Sequence, residues 1–425
     1  MFSGQTQNRR MIFLILYITY ICVGIIGILP GPTLPLLASN TGVPIEVAGW
    51  IFTTSATGFM VGVLIAGIVS QRFGPKYVLM SGVAIMSCTG IVTPMTREFS
   101  LLLGAQFVQG IGFGFLDVTI SMIVALTFGK ALSETLNNLH SAYGVGALVA
   151  PLLLSLALQL THQALLAYLS GAIVGIVGIF FLIPQSIPSA DTVPPVTPVT
   201  QQHKIERQNS QIAFSSVFRQ PLLWLLAIQI ALYVGAEVSF GNWIVTAVSM
   251  SAAISLALAA PCATLLWAGL TTGRLVGAQI LKRGIVGEHT LLYISVIGSS
   301  LCGILVAIFP GNIAISFSAS ALVGFFFGPI FPGIMAIAAR CFAKVLGTVS
   351  GVMLISAGGT AMILPLLMGI LIPHIGIHWV MAIPALVCLS VIIPLSLALR
   401  QQRQSLQMRD EVHTVESDLP LPIMK

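Results

Sequence analysis

The sequence predicts an all-α membrane protein, with twelve transmembrane helices in two six-helix pseudo-repeats. Three observations predict it. Of the 425 residues, 56% are hydrophobic and only 7% charged, with a mean hydropathy of +1.01. A soluble domain of that size needs far more polar surface. Apolar runs long enough for the ~20 residues that a bilayer core requires recur twelve times along the chain. Short motifs of the first half return in the second at a nearly constant spacing.

Arg9 and Arg10 precede the first apolar run and no small-residue cleavage site follows it, so the run reads as a spanning helix rather than a removed leader. Spans are expected over 11–38, 45–70, 77–95, 99–128, 136–160 and 163–183, forming an N-terminal six-helix bundle over 1–183. The second half gives 219–248, 252–281, 289–310, 312–340, 346–372 and 377–399, a C-terminal bundle over 219–399. Between them, 184–218 holds Pro184, Pro188, Pro194, Pro195 and Pro198 and then a polar run, the composition of a cytoplasmic linker. The polar stretch 400–425 reads as a cytoplasmic tail.

Orientation follows from the basic residues. One set of loops holds Arg72, Lys76, Lys130, Lys204, Arg207, Arg219, Lys282, Arg283, Arg340 and Lys344. Together with Arg9, Arg10, Arg400, Arg403, Arg409 and Lys425, these are all of the 18 basic residues except Arg97 and Arg274. Cytoplasmic loops carry the excess of Lys and Arg. Both termini are therefore expected in the cytoplasm, and the chain in a plasma (bacterial inner) membrane. The net charge of +6 is scattered through short loops rather than clustered, so no nucleic-acid partner is expected. Cys22, Cys88, Cys262, Cys302, Cys341 and Cys388 lie in or beside apolar runs without metal spacing and read as buried free thiols.

The repeat is visible in two places. Gly67, Arg72 and Gly74 after the second span match Gly277, Lys282 and Gly284 after the eighth, at an offset of 210 residues. Gly144 to Pro151 in the fifth span matches Gly358 to Pro365 in the eleventh, at 214. A duplicated six-span unit with a solute site between its halves is one known transporter design.

Few charges lie inside the spans: Asp117, Glu237 and Arg274, with Glu46 at an edge. Asp117 shares a helical face with Gln106, Gly110, Phe113 and Ser121. A carboxylate at such depth costs ~2.5–3.5 kcal/mol on insertion scales, so the chain is expected to use it. Glu237 lies on a stripe with Gln229, Tyr233 and Gly241, where Gly235 and Gly241 would let the helix break or bend. Both acids are candidate ion-coupling residues, and a structural ion pair with Arg274, or a snorkelling arginine, is the bland alternative. Candidate solute-binding residues are Gln106, Gln109, His140, Gln229, Tyr233, Asn242, Trp243, Trp267 and Arg274, the aromatic ones as stacking faces or simply as packing. His374 and His378 flank Gly376 in a loop without a carboxylate or Cys partner, so no metal site is assigned there. No nucleophile triad or phosphate loop is present. Neither an enzyme nor a cofactor is expected.

The segment GIVSQRFGPKYVL resembles the inter-helix signature of the major facilitator superfamily, matched at Gly67, Arg72, Gly74 and Lys76. Gln71 replaces its acid and Pro75 one of its basic residues. Within that superfamily, GPTLPLLA at 31–38, LNNLHSAYGVGALVAP at 136–151, YVGAE at 233–237, LLWAGLTTGRL at 265–275 and IFPGIMAIA at 330–338 are similar to the fucose permease and sodium-dependent glucose transporter group. The resemblance implies a gating loop at Gly67, Arg72, Gly74 and Lys76, and it places Asp117 where that group carries a fourth-span acid. The first-span acid of fucose permeases has no counterpart in CVGIIGILPGPT. The expected function is secondary active transport of a small polar solute, a sugar, by alternating access, coupled to a proton or a sodium ion, with the bilayer as the protein's surroundings and a monomer as its state. An efflux antiporter for apolar compounds and a non-transporting receptor are the alternatives.

Overall fold

The structure, a computed structural model, describes residues 2–128, 132–185, 187 and 217–401. Twelve helical segments are long and apolar enough to cross a membrane. The first six are Arg9–Ile28, Ile45–Phe73, Pro75–Met95, Phe99–Phe128, Asn138–Thr161 and Leu165–Leu182. The second six are Pro221–Ser251, Leu256–Lys282, Glu288–Ile308, Ile313–Cys341, Leu346–Ile375 and Ile377–Gln401. Every expected span is found within a few residues of its reading. The expected linker and tail lie almost wholly outside the described residues, as do Lys130, Lys204, Arg207, Arg403, Arg409 and Lys425.

The bends fall elsewhere than expected. The seventh helix runs unbroken from Pro221 to Ser251, so Gly235 and Gly241 do not break it. Gly235 instead lets the eleventh span approach, since a Cβ there would lie 3.0 Å from the Thr360 Cβ. The breaks occur where proline removes a backbone donor and crowds the preceding turn. The first span breaks at Leu29 and resumes as Pro30–Thr41, and the tenth breaks after Phe327 and resumes at Ile330.

The duplication is deeper in the backbone than in the motifs. The second span starts as the one-turn helix Ile45–Ala48 and the eighth as Leu256–Ala259, each followed by a kink at one residue. Left-handed residues pair up in equivalent turns: Gly42 with Ala253, Gly74 with Gly284, and His162 with Gly376. The same offsets organise the packing. Gly58 and Gly62 of the second span lie against the carbonyls of Phe107 and Ile111, and Gly110 and Gly114 of the fourth answer against those of Ser55 and Phe59. In the second half, Gly269 and Gly273 lie against the Ala321 and Phe325 carbonyls, and Gly324 and Gly328 against those of Leu266 and Leu270. With no hydrophobic force between helices in lipid, such small-residue seams let backbones touch and gain dispersion contact.

The halves touch at the end of the spans away from the termini. Ser155 Oγ donates to Ala257 O (2.7 Å), Thr264 Oγ1 to Leu148 O (3.0 Å) and Thr53 Oγ1 to Met362 O (3.0 Å). At the opposite end two ties within the halves stand out among the described residues. Lys76 Nζ donates to Ile183 O and Gln185 O (2.7 Å each), tying the third span to the sixth. Arg340 pairs with Glu288, tying the tenth to the ninth.

Candidate solute site between the halves

Toward the terminus end, His140 of the fifth span and Arg274 of the eighth are exposed where the halves face each other, and this region is the candidate vestibule. Gly144 of the fifth span has as its nearest neighbour Thr271 Oγ1 of the eighth, 3.8 Å from a Cβ position. Gly351, Gly358 and Gly359 of the eleventh face open space. At the end of the spans away from the termini, Trp243 sits between the halves. Its indole is fully buried, its Nε1 donates to Pro365 O (3.0 Å), and its ring meets Phe52 edge-on at 6.0 Å. Gly49 and Gly369 flank the ring so closely that a Cβ would lie 3.1 and 3.3 Å from it.

A chain of rings crosses the vestibule. Phe59 meets Phe113 at 5.0 Å, Phe113 stacks on Tyr143 at 6.3 Å with the planes 5° apart, and Tyr143 meets Trp267 edge-on at 6.1 Å. The last contact joins the fifth span to the eighth, so both halves build one aromatic platform. Trp267 was an expected site residue. Phe59 and Tyr143 were not.

Two polar clusters stand beside the platform. In the first half, the charge of Asp117 acts on the His140 imidazole and on the Tyr20 hydroxyl. Tyr20 and His140 are in ring contact at 5.4 Å, and the buried Tyr20 hydroxyl has no protein hydrogen-bond partner. In the second half, Glu237 lies beside Arg274 and the Tyr233 hydroxyl. That hydroxyl has one hydrogen. It donates to Phe327 O (3.1 Å), the carbonyl at which the tenth span breaks, and Glu237 stands next to it as the competing acceptor. Arg274 is exposed in the opening, and its charge reaches His140 and Tyr143 of one half and Tyr233 and Glu237 of the other. Among the described residues the ion pair at contact distance is that of Arg340 with Glu288, so Arg274 acts on Glu237 through its field, where the halves meet.

Other candidates fall outside this cluster. Gln106 donates to Thr93 Oγ1 (3.0 Å), and Gln109 to Ile26 O (3.4 Å), both buried inside the first half. Gln229 is fully buried on the seventh span, with neither amide atom hydrogen-bonded. Asn242 belongs to the seal, where a Cβ on Gly31 would lie 3.0 Å from its Cα. In the loop after the second span, the Arg72 guanidinium lies over its neighbour Phe73 (5.4 Å). The C-terminal carbonyls that suit a cation there are taken by Lys76. Among the described residues no three His, Cys, Asp or Glu side chains gather to hold a metal ion.

The polar groups break the repeat. At the offsets of the glycine seams, Asp117 corresponds to Phe331, Glu237 to Ile26, Arg274 to Val63 and His140 to Leu354. One duplicated scaffold thus carries an acid–histidine pair on one side and an acid–arginine pair on the other.

Comparison with known proteins agrees with this architecture. The Major Facilitator Superfamily profile matches residues 16–357 and 285–414. The sodium-dependent glucose transporter 1 of Xenopus laevis is 25% identical over 334 residues, 71% of this chain and 64% of the frog protein's length. The glucose/mannose transporter GlcP of Bacillus subtilis is 23% identical over 371 residues, 85% of this chain and 88% of its own. In structure, the nucleoside transporter NupG superposes with a TM-score of 0.72 over 92% of this chain and 99% of its own, at 13% identity.

Proposed function

The chain belongs to the Major Facilitator Superfamily, and from that premise we propose that this transporter is a secondary active carrier of a small polar solute, a sugar, working by alternating access and coupled to a proton or a sodium ion. The observation that carries the reading is a cluster contributed by both halves, in which Tyr143 meets Trp267 and the charges of Asp117, His140, Glu237 and Arg274 act on one another and on the nearby tyrosines. A sugar ring offers an apolar face and a belt of hydroxyls. The Phe113–Tyr143–Trp267 platform suits the face. The two carboxylates accept hydroxyl hydrogens, while His140 and Arg274 supply donors. The names of the frog and Bacillus relatives, a sodium-dependent glucose transporter and a glucose/mannose transporter, support a sugar.

The division of labour follows the broken repeat. Two bundles, 1–183 and 219–399 joined by the linker 184–218, rock about the site, with the loop of Gly67, Arg72, Gly74 and Lys76 at the moving inner ends. Asp117 or Glu237 holds the coupling ion. The terminus end faces the cytoplasm of the plasma membrane, and the monomer is the working unit. Magnitudes fit a gate. Inter-helix bonds in membranes contribute about 0.6 kcal/mol each, so the four across the seal, Thr57 to Met362 Sδ being the fourth, hold it by roughly 2 kcal/mol. A solute of millimolar affinity binds with about 4 kcal/mol, enough to offset that loss.

The test is uptake by reconstituted vesicles against a panel of sugars, nucleosides and aromatic acids, with pH and sodium gradients imposed separately. Sugar accumulation driven by one gradient is the expected result. Gradient-driven extrusion of apolar compounds, with no sugar uptake, would overturn it in favour of an antiporter.

A further inference from the structure

We propose that the groove between the start of the seventh span and the end of the twelfth binds an anionic phospholipid, its phosphate held between Arg219 and Arg400 and its acyl chains lying along the apolar wall. The groove encloses about 600 Å³, the range of small-molecule sites. Its lining contains two arginines and no acid. Among the described residues neither arginine has an ion-pair partner, since the pair between Arg340 and Glu288 lies elsewhere.

The wall is built for a chain and the rim for a phosphate. Trp224, Ile228 and Leu397 line the groove and are 47%, 47% and 44% exposed. Trp224 and Ile228 are one helical turn apart, so the apolar strip runs along the span into the depth of the bilayer. The Trp224 indole is fixed there, its Nε1 donating to Phe218 O (2.9 Å), which leaves the ring as wall rather than as a donor. The turn that carries Arg219 is also fixed. Gln220 N donates to Val217 O (3.0 Å) and Leu223 N to Gln220 O (3.1 Å), which sets Arg219 at the mouth beside the first turn of the helix that begins at Pro221. The unsatisfied amides of that turn add partial positive charge to the rim. Arg400 approaches from the last turn of the twelfth span.

The chemistry selects among occupants. Paired guanidinium groups favour a phosphodiester with no cation of its own, so a zwitterionic headgroup brings its ammonium against like charge. A free phosphate ion would leave the apolar wall uncovered. The tail of this chain, outside the described residues, also offers acids, Asp410, Glu411, Glu416 and Asp418, and is the competing occupant to be separated from a lipid by experiment. The lipid satisfies both charge and wall.

The experiment is native mass spectrometry of the full-length protein titrated with phosphatidylglycerol or with phosphatidylcholine of the same chains. Phosphatidylglycerol is expected to bind about tenfold more tightly. Arg219→Gln with Arg400→Gln should bring it to the phosphatidylcholine level, while Arg219→Lys with Arg400→Lys keeps most of the preference. Melting curves identical among the three proteins establish that each is folded. Equal binding of the two lipids, or an unchanged preference in the glutamine variant, overturns the proposal. So does displacement by millimolar inorganic phosphate, which marks a simple anion site. If the preference emerges only after Asp410, Glu411, Glu416 and Asp418 are all changed to their amides, the occupant is the tail and the proposal falls.

Discussion

Asp117 is set apart by its neighbours, the His140 imidazole and a Tyr20 hydroxyl that has no hydrogen-bond partner among the described residues. An unpartnered buried hydroxyl beside a carboxylate is an open coordination place for a solute hydroxyl or an ion, because buried polar groups are ordinarily paired. Asp117→Asn keeps size and hydrogen-bonding capacity and removes the charge. The variant is expected to exchange labelled for unlabelled solute across vesicles but not to accumulate it against a gradient. Undiminished accumulation would move the coupling role to Glu237, which the matching Glu237→Gln variant tests in the same assay. Gln229 gives a prediction of opposite sign. Its amide is buried with neither atom bonded, and replacing an unsatisfied polar group by an apolar one of similar shape is stabilising, by about 1–3 kcal/mol. Gln229→Met should therefore raise the melting temperature in detergent, and a lowered one would mean that the amide has partners. At this scale the sequence revealed the residues whose burial is costly. Asp117, His140, Glu237 and Arg274 stand out because a charge in an apolar span demands a reason. Tyr20, Phe59 and Tyr143 do not, since an aromatic ring is cheap anywhere in a span. Gln106 and Gln109 misdirect for the converse reason, because a neutral amide can find a partner on a neighbouring helix, as the amide nitrogens of these two do at Thr93 and Ile26.

Between residue and fold, the glycine seams decide which helices can approach. In the pair formed by the eighth and tenth spans, Gly273 lies against the Phe325 carbonyl and Gly328 against the Leu270 carbonyl, and backbone atoms cannot swing aside as a side chain can. Gly273→Ala is accordingly expected to cost about 1–3 kcal/mol as an overpacked contact, read as a lower melting temperature in detergent. Gly351→Ala is the control with the opposite sign. It is helical with open space around it, and alanine there gains about 0.5–1 kcal/mol of helix propensity. Equal effects of the two would show that the seam is not tightly packed. The spans themselves were legible almost to the residue, because length and apolarity alone define them. The kinks were less so. Glycine in the seventh span suggested a break, yet the helix continues through it, whereas the helices end next to Pro30 and Pro329, where the ring removes a backbone donor; at Pro30 the Gln109 amide supplies a donor to the Ile26 carbonyl instead. The seams were hidden for a different reason: a glycine in an apolar run signals nothing until the partner carbonyl is known. Only comparison of the halves at offsets of 211 and 214 brings Gly58, Gly62, Gly110 and Gly114 into line with Gly269, Gly273, Gly324 and Gly328.

For the molecule as a whole, the repeat and its one-ended seal make a mechanical claim. Glycine seams hold the helices within each half, whereas between the halves the described contacts are side-chain bonds together with the close approaches of Gly31 to Asn242 and Gly369 to Glu46. The soft direction of this structure is thus rotation of one half against the other, with the seal opening as the vestibule closes. Covalent bridges placed across and within the halves separate this from general flexibility. Ser155 and Ala257 face each other across the seal (2.7 Å from Oγ to the carbonyl), and Tyr293 and Ser396 touch within the second half (2.7 Å between hydroxyls). Cysteine pairs at these two places, joined by a short reducible bifunctional thiosulfonate, constrain either the moving interface or a rigid one. The Ser155→Cys, Ala257→Cys bridge is expected to reduce solute exchange about tenfold or more, since the outer end can no longer open, and reductant should restore it. The Tyr293→Cys, Ser396→Cys bridge should leave exchange within about twofold, because the ninth and twelfth spans travel together. Full exchange with the seal bridged would mean that the solute does not pass between the halves. Equal inhibition by both bridges would mean that the halves deform as they move, and the rigid-body picture drawn from their matching seams would have to be given up.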